Sequence, residues 1–298
     1  MKEMDDKVEK SPIRNGGEFP FFLIFTDLDG TLLDHDSYRW DEAAKALALC
    51  KKTHVPVIMV SSKTRAEMEV LGRKLSLKDP FISENGGGIF VPDETFRSFE
   101  DQPSGGIKDG GFWKWTLGSP YLQLVKALHE IRVQLGWKLR GFSDMSVREI
   151  SALTGLDLEA SRLAARREFD EPFVILEPKA PERGQLQSAA AEKGLTVTLG
   201  GRFHHLHGKN DKGHAMKKVI SWYKRNYNRV FTIALGDSPN DFPMLKGADF
   251  PVLIRSSKAF SDLQLEIPGL MVTGEMGPRG WSSAVLGILG RKEEIRNV

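Results

Sequence analysis

The sequence predicts an α/β protein that combines a doubly wound, parallel sheet with a second, inserted α/β unit. Short apolar runs alternate with stretches of helical spacing at both ends of the chain, which is typical of βαβ units. In the long middle region this alternation is lost. Aspartate-rich motifs follow directly on several apolar runs, and the carboxyl ends of parallel strands are where such sheets bind ligands.

The N-terminal part of the sheet is predicted from five consecutive segments. Residues 19–25 form a continuous apolar run, which is typical of a strand buried on both faces. Alanine and leucine at helical spacing predict a helix over 41–53, and another apolar run predicts a strand over 55–60. A second helix is predicted over 64–75, followed by a hairpin-like return within 81–91.

The middle region mixes helices and isolated strands after a glycine-rich stretch that begins near residue 101. From residue 212 the simple alternation returns. In the middle region we predict helices over 121–135 and 157–167 and strands over 173–177 and 196–199. In the C-terminal region we predict helices over 213–227 and 244–245 and strands over 230–235 and 250–254. We therefore predict a mobile tail over 1–18, a catalytic core from 19–102 and 206–298, and an inserted α/β unit over 103–205.

Composition excludes several classes of protein. The 42 basic and 40 acidic residues leave a net charge of +2, which is too small an excess for a protein that coats nucleic acid. No apolar run approaches the roughly 18 residues that cross a bilayer, and the charged N-terminus has no apolar segment of a signal peptide. Cys50, the one cysteine, cannot form an intrachain disulfide, so we expect a reducing, cytoplasmic location. From the charge and the apolar runs we expect no nucleic-acid partner and no membrane.

Four polar motifs lie at predicted strand ends or helix starts. Asp27 and Asp29 follow the first strand, and Gly30 permits a sharp turn. Ser61 follows the second strand, where its hydroxyl could hold a phosphate oxygen or simply cap the next helix. Lys212 precedes the helix predicted over 213–227, where a positive charge is mildly unfavourable and a role in a site gains weight.

The fourth motif is Gly236-Asp237-Ser238-Pro239-Asn240-Asp241, at the end of another apolar run. Its carboxylates would complete a set of oxygen ligands with Asp27 and Asp29, and Mg²⁺ prefers such ligands. The Asp27 motif does not fit a calcium-binding EF-hand loop, because its fifth position is Thr31 and no glutamate follows at the twelfth.

These motifs, in this order, resemble the haloacid dehalogenase superfamily. Asp27 and Asp29 match its first motif, Ser61 its second, Lys212 its third, and Asp237 with Asp241 its fourth. The resemblance implies a Rossmann-like core with an α/β cap inserted between the second and third motifs. It also implies catalytic roles and a magnesium site, with the catalytic residues Asp27, Asp29, Ser61 and Lys212 and the metal residues Asp27, Asp29, Asp237 and Asp241.

Further runs resemble the mannosyl-3-phosphoglycerate phosphatases over about residues 21–285. These runs are Ser61-Ser62-Lys63-Thr64-Arg65, Glu84-Asn85-Gly86, Gly141-Phe142-Ser143-Asp144, Arg167-Glu168-Phe169 with Glu171-Pro172, and Gly200-Gly201-Arg202-Phe203. Arginine offers a planar fork for a carboxylate, and polar side chains suit sugar hydroxyls. We therefore expect a small phosphorylated glycoside as substrate, bound by Ser62, Lys63, Glu84, Asn85, Gly86, Arg167, Gly201, Arg202, His204 and Asn240.

The resemblance implies hydrolysis through an aspartyl-phosphate on Asp27, with Asp29 protonating the leaving oxygen and later activating water. Lys212 and Ser61 would hold the phosphoryl oxygens. Mg²⁺ would bind to Asp27, the backbone carbonyl of Asp29 and Asp237, with Asp241 orienting that set directly or through water. The expected reaction converts mannosyl-3-phosphoglycerate to mannosylglycerate and phosphate.

Alternatives remain open at this stage. Glucosyl-3-phosphoglycerate and sucrose-phosphate-like substrates differ only in sugar contacts, and a hexose phosphomutase shares similar caps. A silent sugar-phosphate sensor is disfavoured by the intact Asp27 and Asp29. The histidines 204, 205, 207 and 214 suggest a zinc site, which lacks a clear third ligand. The oligomeric state stays unknown.

Overall fold

The computed structural model describes residues 20–99, 102–176, 183–199, 203–257 and 266–291. The tail predicted over 1–18 lies outside them. None of the helices within these ranges is long and apolar enough to span a membrane. The described strands are β1 (Phe21–Thr26), β2 (Val57–Val60), β3 (Phe81–Ser83), β4 (Gly88–Pro92), β5 (Ile107–Asp109), β6 (Phe112–Thr116), β7 (Leu139–Gly141), β8 (Asp170–Ile175), β9 (Thr196–Leu199), β10 (His204–His207), β11 (Val230–Gly236), β12 (Phe250–Arg255) and β13 (Met271–Met276).

The helices alternate with these strands at both ends of the chain. They are α1 (Ala44–Lys52), α2 (Arg65–Leu75), α3 (Tyr121–Leu135), α4 (Val147–Thr154), α5 (Leu158–Ala164), α6 (Arg183–Ala191), α7 (Lys212–Asn226), α8 (Phe242–Leu245) and α9 (Gly277–Gly290). Short 3₁₀ turns lie between some of them, including one at Glu84–Gly86.

The large sheet has the strand order β13-β12-β11-β1-β2-β3-β4-β6-β5. Its first six strands run parallel, and β4, β6 and β5 add an antiparallel extension. The chain begins this sheet at β1 in the middle and returns through β11 on its other side. This is the doubly wound α/β core that the sequence predicts, so the predicted fold class is confirmed.

Strand β1 shows why the fold forms. Phe22 and Ile24 point into the apolar layer that contains α1 and α9, whereas Leu23 and Phe25 point into the layer that contains α7 and α8. Side chains alternate across a strand, so a continuous apolar run is buried on both faces. Burying a large apolar side chain stabilises a fold by about 1.5–3 kcal/mol, and all four are at most 2% exposed.

A second, antiparallel sheet has the order β7-β8-β10-β9. Helices α3 and α6 cover one of its faces, with an apolar layer built from Leu124, Ala127, Leu128, Ile131, Phe173, Leu186, Ala189, Ala190 and Leu206. The opposite face carries the polar side chains of Asp170, His205 and His207 and faces the large sheet. This separate α/β unit agrees with the predicted insertion.

The strand pairing moves the borders of that unit away from residues 103 and 205. Strands β5 and β6 belong to the large sheet although the sequence places them in the insertion, and Trp113 and Trp115 pack into its core. Strand β10 continues the small sheet as far as His207. We propose borders near residues 119 and 208.

Two predicted elements inside the insertion are also displaced. The helix predicted over 157–167 ends at Ala164, and the strand predicted over 173–177 begins at Asp170. Arg167 explains the early end of the helix, because its Nε donates a hydrogen bond to the carbonyl of Ala164 at 2.9 Å. A basic side chain that satisfies a terminal carbonyl is a common way for a helix to stop.

Candidate active site

The four motifs meet at one edge of the large sheet. Asp27, Ser61 and Asp237 each follow the last residue of a parallel strand, β1, β2 and β11 in turn. Lys212 is the first residue of α7, and its ammonium group reaches the same edge. Because neighbouring parallel strands end together, residues far apart in sequence come within contact.

Lys212 forms the centre of the site. Its side chain is fully buried, and its Nζ lies 2.6 Å from Asp27 Oδ1 and 2.5 Å from Asp241 Oδ1. The other oxygen of Asp241 accepts hydrogen bonds from the backbone N–H groups of Asp237 and Ser238 at 3.1 and 3.0 Å. Asp241 therefore positions both the lysine and the loop that carries Asp237.

Asp27, Asp237 and Asp241 form a compact carboxylate cluster, with one oxygen of each within 4.8 Å of the others. Within the described ranges it is the one group of three or more acidic, histidine or cysteine side chains close enough to share a metal ion. Three carboxylates against the single ammonium of Lys212 leave two negative charges uncompensated when all are ionised. A divalent cation with oxygen ligands fits this set.

The pKa values in the cluster reflect the same imbalance. Burial, followed by repulsion from Asp241, raises the pKa of Asp27 to about 8, even though Lys212 opposes the shift. Burial and Asp241 also raise the pKa of Asp237 to about 6. Burial alone would lower the pKa of Lys212, but Asp241 and Asp27 outweigh it and raise that pKa, so the lysine is charged.

Two glycines let the carboxylates approach so closely. A Cβ on Gly30, which has φ +79°, would lie 2.8 Å from Asp237 Oδ2. A Cβ on Gly236 would lie 2.4 Å from the Cβ of Asp241. The absence of side chains at these two glycines therefore leaves room for the carboxylates to lie close together, as a site for a small ion requires.

The carboxylate of Asp29 lies outside the cluster. Its Oδ2 accepts a hydrogen bond from Lys63 Nζ at 2.8 Å, and Oδ1 is buried with no hydrogen-bond partner among the described residues. Lys63 Nζ also lies 5.3 Å from the centre of the Tyr38 ring. Asp29 thus faces the substrate side of the site, and its side chain has an oxygen available for a further contact.

Ser61 is not the cap of the following helix. Helix α2 begins at Arg65, and Thr64 caps it by accepting a hydrogen bond from the N–H of Glu67. Ser61 is buried at the site edge, and its Oγ accepts a hydrogen bond from the N–H of Lys63 at 3.3 Å. The hydroxyl hydrogen remains available to a phosphate oxygen, which favours the phosphate-binding interpretation.

The Glu84–Gly86 turn packs against the start of α7 in an unusual conformation. Glu84, Asn85 and Gly86 have φ values of +47°, +53° and +92°. Asn85 Oδ1 accepts a hydrogen bond from Asn240 Nδ2 at 3.0 Å, which joins two predicted binding residues. Left-handed backbone at non-glycine residues is costly and tends to occur at functional sites.

Glu84, a predicted binding residue, makes its hydrogen bonds within the protein. It is fully buried, and its carboxylate accepts hydrogen bonds from the backbone N–H groups of Glu168 and Phe169 at 2.8–3.2 Å. Burial raises its pKa to about 8, and the neighbouring Arg167 acts in the opposite direction. Glu84 therefore joins the core to the residues that precede β8, and its role in binding substrate stays a prediction.

Gly86 gives a first test of this packing. A Cβ at position 86 would lie 2.2 Å from the carbonyl oxygen of Asp211. We expect Gly86→Ala to lower the free energy of unfolding by about 3 kcal/mol, because it adds a clash to the strain of a positive φ. Gly111 is a matched control, since its φ is +82° but nothing lies within 4 Å of its Cβ position. Gly111→Ala should lower the free energy of unfolding by only about 1 kcal/mol, as measured by urea denaturation. An equal decrease in the two variants would contradict the account.

Arg167 lies where the small sheet meets the core. Its side chain is 8% exposed, and Nη1 donates to the carbonyl of Ser62 at 2.8 Å and lies 3.4 Å from Asp170 Oδ2. Ser62 is therefore tied to the insertion through its backbone. The Arg167 Nε donates to the carbonyl of Ala164, whereas Nη2 has no acceptor among the described residues. Nη2 can therefore donate to a ligand carboxylate.

His204 and His205 lie on opposite faces of β10. His204 stacks on Phe173, with ring centres 5.3 Å apart, on the face that packs under α3. Neighbouring residues of a strand point to opposite faces, so His205 faces the core instead, where its Nδ1 lies 2.7 Å from Asp170 Oδ2. His204 does not line the cleft described below, and its role in binding substrate stays a prediction. The zinc interpretation also lacks support, because the described histidines form no such cluster.

A cleft of about 250 Å³ lies between the core and the small sheet. Its polar lining comes from Asp29, Ser62, Lys63 and Glu67 of the core and from Thr154, Arg167 and His205 of the insertion. Aromatic and apolar groups complete the lining, including Tyr38, Phe142, Leu156, Pro172 and Phe203. Gly201 and Arg202, which the sequence predicts to bind substrate, lie outside the described residues.

Comparison with known proteins extends these observations. A family model described as haloacid dehalogenase-like hydrolase matches residues 24–103 and 185–259. A glucosyl-3-phosphoglycerate/mannosyl-3-phosphoglycerate phosphatase of Methanococcoides burtonii is 40% identical over 277 residues, which cover 92% of this chain and 99% of that protein. A mannosyl-3-phosphoglycerate phosphatase of Pyrococcus furiosus is 38% identical over 232 residues, which cover 78% of this chain and 90% of that one.

Among solved structures, a phosphatase of the haloalkanoate (HAD) superfamily from Bacteroides thetaiotaomicron shares the fold. Its TM-score is 0.61 at 15% identity, with 94% of this chain and 98% of that chain covered. At that identity the likeness concerns the fold, and it agrees with a parallel core that carries a separate antiparallel sheet.

Proposed function

Because the chain belongs to the haloacid dehalogenase-like hydrolases and is a phosphoric monoester hydrolase of that family, we propose that it removes the phosphoryl group from mannosyl-3-phosphoglycerate. The products are mannosylglycerate and phosphate. The observation that carries the proposal is the Asp27–Lys212–Asp241 arrangement at the strand ends, two residues from Asp29, which lines a cleft between the core and the insertion. The relatives named for this substrate and its glucosyl analogue support the choice of leaving group.

Asp27 acts as the nucleophile in this proposal. One of its oxygens attacks phosphorus, the bond from phosphorus to the sugar-side oxygen breaks, and an aspartyl-phosphate forms. Water then attacks phosphorus and releases phosphate, which regenerates the Asp27 carboxylate. Lys212 holds Asp27 by a hydrogen bond of 2.6 Å, so the attacking oxygen is oriented before the substrate arrives.

Asp29 handles the proton. It gives a proton to the leaving oxygen and takes one from the attacking water, so its protonation state is restored after each turnover. Its position supports this role, because it stands two residues after Asp27 and lines the cleft that receives the leaving group. Lys63, bonded to Asp29 Oδ2, positions the carboxyl toward that cleft.

The metal of this proposal is Mg²⁺, which Asp27, Asp237 and the backbone carbonyl of Asp29 would hold, with Asp241 orienting the set. When bound it supplies positive charge to the phosphoryl oxygens and balances the surplus of carboxylates. The chain's own contribution to the same charge is Lys212, together with the hydroxyl of Ser61 at the end of β2.

The cleft supports the glycosyl-phosphoglycerate as substrate. Arg167 and Lys63 provide positive charge for the glycerate carboxylate, and a planar guanidinium is suited to it. Phe142 and Phe203 form an edge-to-face pair with ring centres 5.1 Å apart, and the Arg167 guanidinium lies 5.7 Å from the centre of the Phe142 ring. Such rings pack against the apolar face of a sugar. We propose that Asn85 and Asn240 lie at the rim of this site.

A panel of phosphate esters tests the proposal. With Mg²⁺ present, we expect kcat/KM for mannosyl- and glucosyl-3-phosphoglycerate to exceed that for mannose-6-phosphate, sucrose-6-phosphate and 3-phosphoglycerate by at least about 100-fold, since the favoured substrates alone fill both the sugar and the carboxylate contacts. Phosphate release is the measurement. Comparable kcat/KM values for simple sugar phosphates would keep the chemistry and overturn the proposed substrate.

A further inference from the structure

The core-facing side of the small sheet carries an imidazole that is held by a buried carboxylate. His205 Nδ1 lies 2.7 Å from Asp170 Oδ2, and the Asp170 side chain is 1% exposed. His205 and Arg167 together hold the pKa of Asp170 below its ordinary value in spite of burial, which would raise it. An ionised carboxylate can only accept a hydrogen bond, so Nδ1 of His205 carries the hydrogen and donates a hydrogen bond to Asp170.

The other ring nitrogen of His205 has no hydrogen-bond partner among the described residues. The ring is 13% exposed, and the side chain lines the cleft that also contains Asp29 and Lys63. With Nδ1 turned toward Asp170, the edge of the ring that is left for the cleft carries Nε2. Nε2 is absent from the buried polar atoms that lack a partner, so solvent reaches it at the cleft wall, and a bound ligand can take the place of that solvent.

We propose that His205 Nε2 binds a hydroxyl group of the glycosyl part of the substrate and so contributes to selectivity for glycosylated phosphoglycerates. This inference rests on the proposed function. A hydroxyl can donate to a neutral imidazole or accept from a protonated one, whereas a carboxylate can only accept. The hydroxyl therefore matches His205 in either state. Phe142 and Phe203 line the same cleft and suit a sugar ring.

The location of His205 separates this role from the chemical step. Asp27, Ser61 and Lys212 stand at the end of the large sheet, whereas His205 is on β10 of the insertion. Loss of its Nε2 should therefore weaken binding of the sugar and leave the phosphate contacts intact. Asp170 acts through His205, since it fixes which nitrogen faces the cleft.

Dissociation constants in an Asp27→Asn background test the proposal without turnover. The ligands are mannosyl-3-phosphoglycerate, glucosyl-3-phosphoglycerate and 3-phosphoglycerate, each with Mg²⁺ present. The added substitution His205→Asn keeps a donor near the Nδ1 position and removes Nε2. We expect Kd to rise about tenfold for at least the mannosyl ligand and to stay unchanged for 3-phosphoglycerate, since one hydrogen bond to the sugar is lost.

Two further variants sharpen the result. His205→Gln places an amide near the former Nε2 position, and we expect it to recover part of the lost affinity. His204→Asn makes the same chemical change one residue earlier, on the opposite face of β10, and should leave all three Kd values unchanged. A mere folding defect in His205→Asn would weaken all three ligands alike.

Unchanged Kd values for both glycosyl ligands in His205→Asn, or an equal loss for 3-phosphoglycerate, would overturn the role of His205. These outcomes leave the proposed function standing as long as the Asp27→Asn parent still prefers the glycosyl ligands. A parent that binds 3-phosphoglycerate as tightly as the glycosylated ligands would instead contradict the proposed substrate, and the sugar contact with it.

Discussion

Asp27→Asn is expected to lower kcat for phosphate release by about 10⁴-fold or more, because an amide oxygen is a far weaker nucleophile than a carboxylate. The substitution preserves size, and the amide oxygen can still accept the hydrogen bond that Lys212 donates to Asp27. Phosphate release from mannosyl-3-phosphoglycerate under saturating Mg²⁺ is the measurement. Residual activity within tenfold of the wild type would contradict the assignment of the nucleophile.

The same variant should not be less stable than the wild type in the absence of metal. A carboxyl group whose pKa is higher in the folded protein than in the unfolded chain destabilises the fold as pH rises through those two values, here from 3.8 to about 8. Removing the charge of Asp27 removes that penalty, so Tm near neutral pH should stay level or rise. Asp41→Asn is the matched control, because Asp41 is exposed and pairs with Arg39 at the surface. This substitution should change neither kcat nor Tm.

Removal of divalent metal is expected to abolish phosphate release, and added Mg²⁺ should restore it. The physical reason is the surplus of negative charge among Asp27, Asp237 and Asp241, which a substrate phosphate would increase further. A second readout is thermal unfolding, because an ion that binds only the folded protein stabilises it by about 2.7 kcal/mol at 100 times its Kd. That corresponds to a rise in Tm of roughly 5 °C or more.

Asp237→Asn provides the control for the metal experiment. It removes one carboxylate of the cluster without touching the hydrogen bonds that Lys212 makes to Asp27 and Asp241. We expect it to reduce or abolish the Mg²⁺-dependent rise in Tm. Full activity after exhaustive chelation, or a Tm shift of equal size in Asp237→Asn, would contradict the proposed metal site.

The catalytic edge could be predicted from the sequence because its signals are local. Each motif follows an apolar run that is buried on both faces, and the rule that parallel strands end together then brings the motifs into one place. Asp27 and Asp237 are 210 positions apart, yet each is set by the strand directly before it. Asp27, Asp237 and Asp241 lie close together in the structure, as this reasoning expects, whereas the carboxylate of Asp29 lies outside their cluster.

The cap side of the site could not be predicted in the same way, because its residues are placed by long-range contacts. Whether His204 or His205 faces the cleft depends on how β10 pairs with β8, where His204 lies opposite Phe173. A shift of one residue would exchange the two faces. The contact from Glu84 to the backbone of Phe169 spans 85 positions, and no local pattern signals it.

Helix α9 shows how tertiary packing overrides local preference. The segment Gly277–Gly290 contains four glycines, which disfavour helix in isolation, whereas its proline stands in the first turn, where proline is tolerated. Trp281 is nevertheless fully buried, and its Nε1 donates to Thr26 Oγ1 at 3.0 Å beside the catalytic strand end. Burial of Trp281 against β1 therefore helps to stabilise a helix that the local sequence does not favour.

The most direct measurement of the central claim is the product balance for mannosyl-3-phosphoglycerate, followed by nuclear magnetic resonance of phosphorus and of the sugar with Mg²⁺ present. We expect inorganic phosphate and mannosylglycerate to appear in equal amounts, with none of either from the Asp27→Asn variant. Transfer of the phosphoryl group to another sugar hydroxyl without free phosphate, or no conversion of this substrate, would contradict the proposed function.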